Sequence, residues 1–172
     1  MLSKAVFSPD RRYRYHLLRQ WRPGERMTFI TYHPSGVADE NVDDSLVRRC
    51  MRFAKRDGYG GIEVVNLFGY RADKLSGLVE AEDPEGPYNW DWVNLCLSNP
   101  PPVVAAWGDG VKDFARRSVS YQHIWDRDER LRRKIVLVSL GTTKRGNPRN
   151  PVYAPNGSPM LRWPPSRRHP NQ

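Results

Sequence analysis

A chain of 172 residues, 38% of them hydrophobic, has the size of one ordinary domain with a single substantial core, which excludes general disorder. It has no run of about 18 apolar residues, and its first stretch, MLSKAVFSPDRRYRYH, lacks the apolar segment of a secretion signal, so a cytoplasmic protein is expected. The 28 Lys and Arg outnumber the 19 Asp and Glu to leave +9, a balance that favours polyanionic partners because each phosphate contact releases condensed counterions. The plainer alternative is a solubilising surface.

In chain order, residues 11–21 set Tyr13, Tyr15 and Leu17 against Arg12, Arg14 and His16, which predicts an N-terminal edge strand or hairpin. Four short runs, 27–32 (MTFITY), 62–67 (IEVVNL), 103–107 (VVAAW) and 135–140 (IVLVSL), are nearly continuously apolar. That is the pattern of strands covered on both faces in a parallel sheet. Between the first two, residues 45–56 place Leu46, Val47, Cys50, Phe53 and Ala54 on one helical stripe that stops near Gly58. Residues 88–97 predict a second helix with Trp92, Leu95 and Cys96 on its apolar face, ended by a run of prolines. A third is expected to start at 111–117. The last part of the chain carries seven of the 15 prolines between Asn147 and the C-terminus, so an extended region and a mobile basic tail over 164–172 are expected after a single domain spanning 1–163. Cys50 and Cys96 both fall in helical stripes and read as buried thiols, not as a disulfide or metal site.

Strands alternating with helices predict a three-layer α/β/α sandwich around a central, mainly parallel, four-stranded sheet. In such sheets ligands bind in the crevice at the carboxyl ends of the strands. Each expected strand ends in a polar or glycine-bearing loop: His33-Pro34-Ser35-Gly36, Asn66 with Phe68-Gly69-Tyr70-Arg71, Gly108-Asp109-Gly110, and Gly141-Thr142-Thr143-Lys144. A neutral histidine at His33 can take a proton or orient water, with Asp39, Asp43 and Asp44 near enough in sequence to hold it or act themselves. It can equally cap the following turn. Asn66 offers a donor and an acceptor for the edge of a base, or else serves as a satisfied core amide. Phe68 and Tyr70 are candidates for stacking a base or for plain core. Arg71 and Lys144 are candidates for phosphate. In GTTKRGNPRNPVYAP the prolines stiffen the loop, and the backbone amides of Thr142, Thr143 and Gly146 are placed to meet an anion. No Walker lysine motif, GxGxxG, CxxC or HExxH is present, so P-loop hydrolysis, dinucleotide binding and zinc chemistry are disfavoured, and no cofactor is implied.

The segments YRYHLLRQW, HPSGVADENVDDSLVRRCMRFAKRDGYGG, EVVNLFGYRA, VVAAWG and LGTTKRGNPRNPVYAP closely resemble a bacterial and phage family, number 1643 among the domains of unknown function. More distantly, the order of motifs is similar to that of the uracil-DNA glycosylase superfamily. That resemblance implies a water-positioning role at His33-Pro34, base reading at Val65-Asn66, a third strand at 103–108, and a transition-state loop at Asn147-Pro148 or Asn150-Pro151. In the unknown-function family His33 is usually Asn, and His usually stands near Asn147 and Asn150, so the copy in hand departs at both places. An Asn can donate a hydrogen bond to a departing base but cannot supply the charge of a protonated His.

The expected function is therefore a nucleic-acid-acting domain, DNA first, that takes a flipped base into the rim pocket and hydrolyses its N-glycosidic bond. In this reading Asn66 reads the base, as the resemblance implies, and Phe68 or Tyr32 stacks it. His33, as the resemblance implies, or Asp39 places the water, and Asn147 or Asn150 stabilises the leaving base. Arg71, Thr142, Thr143, Lys144, Arg145 and Arg149 are expected to hold phosphates. The rivals are a non-catalytic module that binds nucleic acid or protein, and an enzyme acting on free nucleotides or nucleosides.

Overall fold

A computed structural model describes residues 1–98, 102–110 and 135–163. Seven strands form one sheet: β1 (Leu2–Phe7), β2 (Arg14–Gln20), β3 (Arg26–Thr31), β4 (Gly61–Asn66), β5 (Val103–Ala105), β6 (Leu137–Ser139) and β7 (Leu161–Arg162). Three α-helices are described: α1 (Ser45–Arg56), α2 (Leu75–Glu80) and α3 (Asn89–Leu97). The strand order is β1-β2-β4-β3-β5-β6-β7. The four apolar runs form the parallel centre β4-β3-β5-β6, as their continuous hydrophobicity predicts. The sheet is wider than the four strands expected, because antiparallel β2 and β1 extend one side and antiparallel β7 the other.

From β3 the chain passes through α1 to β4 on one side of β3, then returns by way of α2 and α3 to β5 on the other. The reversal makes the carboxyl end of β3 the switch point where a crevice opens. Successive side chains of each central strand feed two cores. Met27, Phe29, Ile62, Val64, Val104 and Ala106 pack with Val47, Cys50, Phe53 and Ala54 of α1. Ile30, Val65, Val103 and Ala105 pack with Leu78 of α2 and with Trp90, Val93, Cys96 and Leu97 of α3.

α1 has the bounds its stripe predicts. Asp44 caps it by accepting from the Val47 amide at 2.8 Å, and Lys55 and Arg56 sit in its last turn, where cations favour the dipole. α3 is rotated from the expected phase: Leu95 is 59% exposed, and the buried face is Trp90, Val93, Cys96 and Leu97. The i, i+3, i+7 spacing starts from Trp90, so Trp92 is left at the margin, stacked on His16 with ring centres 5.2 Å apart.

The expected alternation in β2 also fails, and a bulge explains it. On β1, Val6 and Phe7 are consecutive, yet they face His16 and Arg14, leaving Tyr15 as an extra residue. One extra residue shifts the side-chain parity. Arg14 therefore shares the α1 face with Leu17, where its Nη1 donates to the Ala38 carbonyl at 3.0 Å. Tyr13 and Tyr15 stack on each other instead of lining up with Leu17. Both cysteines are free and buried. The helix expected from residue 111 and the tail 164–172 lie outside the described residues.

Candidate functional site

The switch point holds a cavity of about 650 Å³ lined by Tyr32, His33, Ser35, Asp44, Ser45, Leu46, Ala72, Asp73, Trp107, Gly108, Asp109, Gly110, Thr143, Arg149, Asn150 and Tyr153. Its walls are the loops after β3, β5 and β6, the start of α1, and the turn at Pro151–Tyr153. Two glycines shape the loop after β5. Gly108 has φ +73°, open to glycine at no steric cost, and a Cβ on Gly110 would stand 2.8 Å from the Tyr32 ring. Asp109 is thereby set between them at the cavity wall.

His33 is half-buried, two residues beyond the end of the first central strand, β3. Its Nδ1 lies 3.1 Å from the Pro34 carbonyl, which can only accept, so Nδ1 carries the proton and Nε2 keeps a lone pair. Burial pushes its pKa below the usual 6.5, against the opposing pull of that carbonyl. The imidazole is therefore neutral at pH 7.

Three carboxylates line the cavity, each engaged in positioning. Asp44 accepts from the Ser35 hydroxyl at 2.5 Å as well as capping α1. Asp73 accepts from the Gly36 amide at 3.0 Å. Asp109 Oδ1 accepts from the Thr143 hydroxyl at 2.7 Å and from Asn147 Nδ2 at 2.8 Å. Asn150 spends its Oδ1 on the Val152 amide at 2.9 Å, and Arg149 donates to the Thr142 carbonyl at 2.9 Å.

Of the residues singled out in the sequence, Tyr32, His33, Asp44, Thr143, Arg149 and Asn150 line the cavity. Asn147 stands just behind it through Asp109. Lys144 and Arg145 are exposed on the adjoining turn. The amides of Thr143 and Gly146 are not open to an anion: they donate within that turn, to Asn147 O at 2.8 Å and Thr143 O at 3.0 Å. The remaining expected residues stand elsewhere. Asn66 is fully buried, its Oδ1 accepting from the Thr31 hydroxyl at 2.7 Å and its carbonyl from Asn89 at 3.0 Å. Phe68 is core, edge-on to Tyr32, and Tyr70 packs edge-on against Tyr13. Asp39 folds back on the amides of Asn41 and Val42, which lower its pKa. Arg71 is a strut, donating to the carbonyls of Arg11 and Gly36 beneath the Phe7 ring.

Sequence reading missed Asp73, Trp107 and Tyr153 as site residues, whereas it named Asp44 beside His33 and placed Asp109 in a strand-end loop without giving it a role. A carboxylate in a loop has the signature of a turn former, and only the strand-end position of Asp109 marked it out. The loop 33–44 is held by arginines of β2: Arg14 to Ala38, and Arg19 to Asp43 at 2.8 Å and the Asp39 carbonyl at 2.5 Å. Arg14 is buried deeply enough that its pKa falls to about 10 despite nearby Asp44.

The sequence profile of a family described as "Protein of unknown function (DUF1643)" matches residues 14–152. The chain belongs to the DUF1643 family. The matched span begins at the buried Arg14 and takes in every cavity-lining residue except Tyr153, while leaving out β1 and β7. No curated protein matches the chain. No solved structure matches it either, and neither comparison supports the expected likeness to uracil-DNA glycosylases. Among the described residues, no helix is long and apolar enough to cross a membrane.

Proposed function

We propose that this DUF1643 protein is a hydrolase that receives a base drawn out of a nucleic-acid strand and cleaves its N-glycosidic bond. The observation that carries the reading is a separation of charge. Three carboxylates line the cavity against one cation, Arg149, which is tied to the Thr142 carbonyl, while the exposed Lys144 and Arg145 stand on the turn beside it. A phosphate is repelled by the interior and held at the rim, whereas a neutral base and its sugar are admitted. The walls offered by Tyr32, Trp107 and Tyr153 suit a flat ring, and about 650 Å³ accommodates a nucleoside-sized group.

In the proposed reaction water adds at C1′ of the sugar as the bond from C1′ to the base nitrogen breaks, and the electron pair leaves with the base. His33, neutral at pH 7, takes the proton of that water on Nε2. Asn150 keeps its amide N–H groups to donate to the departing base, since its Oδ1 is taken by Val152. The order of motifs shared with uracil-DNA glycosylases, His33-Pro34 first and Asn147 or Asn150 last, supports the same assignment. A three-layer arrangement of that superfamily's kind accords with helices packed on two cores.

The test is a panel of oligonucleotides, each with one non-standard base, scored for abasic sites, alongside the matching free nucleosides. Abasic sites in an oligonucleotide support the proposal. Cleavage of nucleosides alone makes the protein a nucleoside hydrolase, and tight binding with every strand intact makes it a non-catalytic module.

A further inference from the structure

Away from the cavity, three side chains from different elements meet under α3: His16 of β2, Glu63 of β4 and Cys96 of α3. All three are buried, and one ligand atom from each lies within 4.8 Å of the other two. Glu63 sits near the start of β4, paired with Leu18 and Thr28, so the cluster lies toward the opposite end of the strand from the loops that wall the cavity. We infer that His16, Glu63 and Cys96 form a binding site for a divalent transition metal of the zinc class.

Nitrogen, oxygen and sulfur together are a donor set that zinc takes readily. Metal bonds of about 2.0–2.3 Å at tetrahedral angles put ligand atoms roughly 3.3–3.8 Å apart. His16 Nε2 is 3.9 Å from Glu63 Oε2, beyond hydrogen-bond length and close to that spacing. The carboxylate is divided in the way an outer partner orients a ligand, with Oε1 paired to Arg26 and Oε2 toward His16. The Trp92 ring stacked on His16 fixes the imidazole plane. Burial and the neighbouring Glu63 push the Cys96 thiol pKa up, so a bound metal would displace its proton. The thiolate with Glu63 then sets two negative charges against the dication while the Arg26 pair stays as it is. Three protein ligands leave a fourth position for water or an incoming group. Val93 and Leu97 flank Cys96 in the α3 core, and the buried Thr28 lies beside Glu63 on β3. Binding would tie α3 to β2 and β4 at once.

Cobalt(II) titration of the full chain, purified and stripped with a chelator, reads the site directly through the sulfur-to-cobalt charge-transfer band. One equivalent of cobalt is expected to raise the band and zinc to abolish it. Cys96→Ala should remove the band, Cys50→Ala should keep it, and His16→Ala should weaken binding by at least about 10-fold, the lower bound seen for losing even a supporting residue. No band in the wild-type protein overturns the inference, and so does a band that survives Cys96→Ala. Neither outcome touches the glycosidic reading, because the cobalt band is independent of activity.

Discussion

At His33 the Pro34 carbonyl decides the chemistry, because an acceptor at Nδ1 leaves Nε2 as the only basic nitrogen. His33→Ala should lower the turnover of N-glycosidic cleavage by about 10²-fold or more, the usual range for a general base, while leaving the Kd for the strand unchanged. Single-turnover kinetics with anisotropy binding would separate the two, and a loss of affinity without loss of rate would count against the role. The pH dependence has a definite sign. Burial lowers the pKa of His33 below 6.5, so the basic form is populated from below that value upward. The kcat/KM profile should rise on an acid limb below pH 6.5 and run level through neutrality, and the limb should vanish in His33→Ala. Asn66 shows the contrasting case. At strand ends the sequence tells which residues reach the rim, but not whether a side chain looks out or in. The Thr31 hydroxyl holds the Asn66 side chain inward, and the Asn89 amide ties down its backbone carbonyl; both partners are distant in sequence.

α1 links core to cavity, since Asp44 both caps it and holds Ser35 at the cavity wall. Asp44→Ala should cost about 1 kcal/mol of stability, the typical value of an N-cap, and Asp44→Asn should recover most of it. Urea denaturation monitored by far-ultraviolet circular dichroism would measure both, and equal losses in the two variants would mean that capping is not the main contribution. Arg49 and Arg56 on the same helix brace the far wall, donating to the carbonyls of Pro151 at 3.0 Å and Ser158 at 2.7 Å. The parallel strands and α1 were legible because burial on two faces or on one stripe leaves a strong period. β1 was not, because its half-exposed LSKAVF carries Ser and Lys between apolar residues. Neither were α2, six residues with an internal glycine, nor the two-residue β7: each is too short to show a period. The bulge at Tyr15 leaves no trace in the sequence, since either parity offers a plausible apolar face.

Across the whole molecule, +9 overstates what a partner meets, because Arg14 and Arg19 are buried and Arg49, Arg56 and Arg71 are turned to carbonyls as struts. Lys144 and Arg145 are exposed on the turn beside the cavity. Affinity for nucleic acid should fall linearly in log Kd against log salt, and replacing both residues by alanine should lower the slope by about 2, one per lost phosphate contact. Anisotropy at several salt concentrations would show it, and no binding by the wild type at low salt would remove nucleic acid as the partner. The mixed strand directions were foreseeable only at the centre, because a parallel run announces itself by continuous hydrophobicity and an antiparallel flank does not. The indole of Trp107, in the cavity wall, meets that of Trp163 edge-on, with ring centres 5.0 Å apart and planes at 87°. Two chromophores so close and so crossed form an exciton pair. Near-ultraviolet circular dichroism should therefore change when the cavity is filled, and replacing Trp163 should remove the coupled part of that change while leaving the response of Trp107 itself.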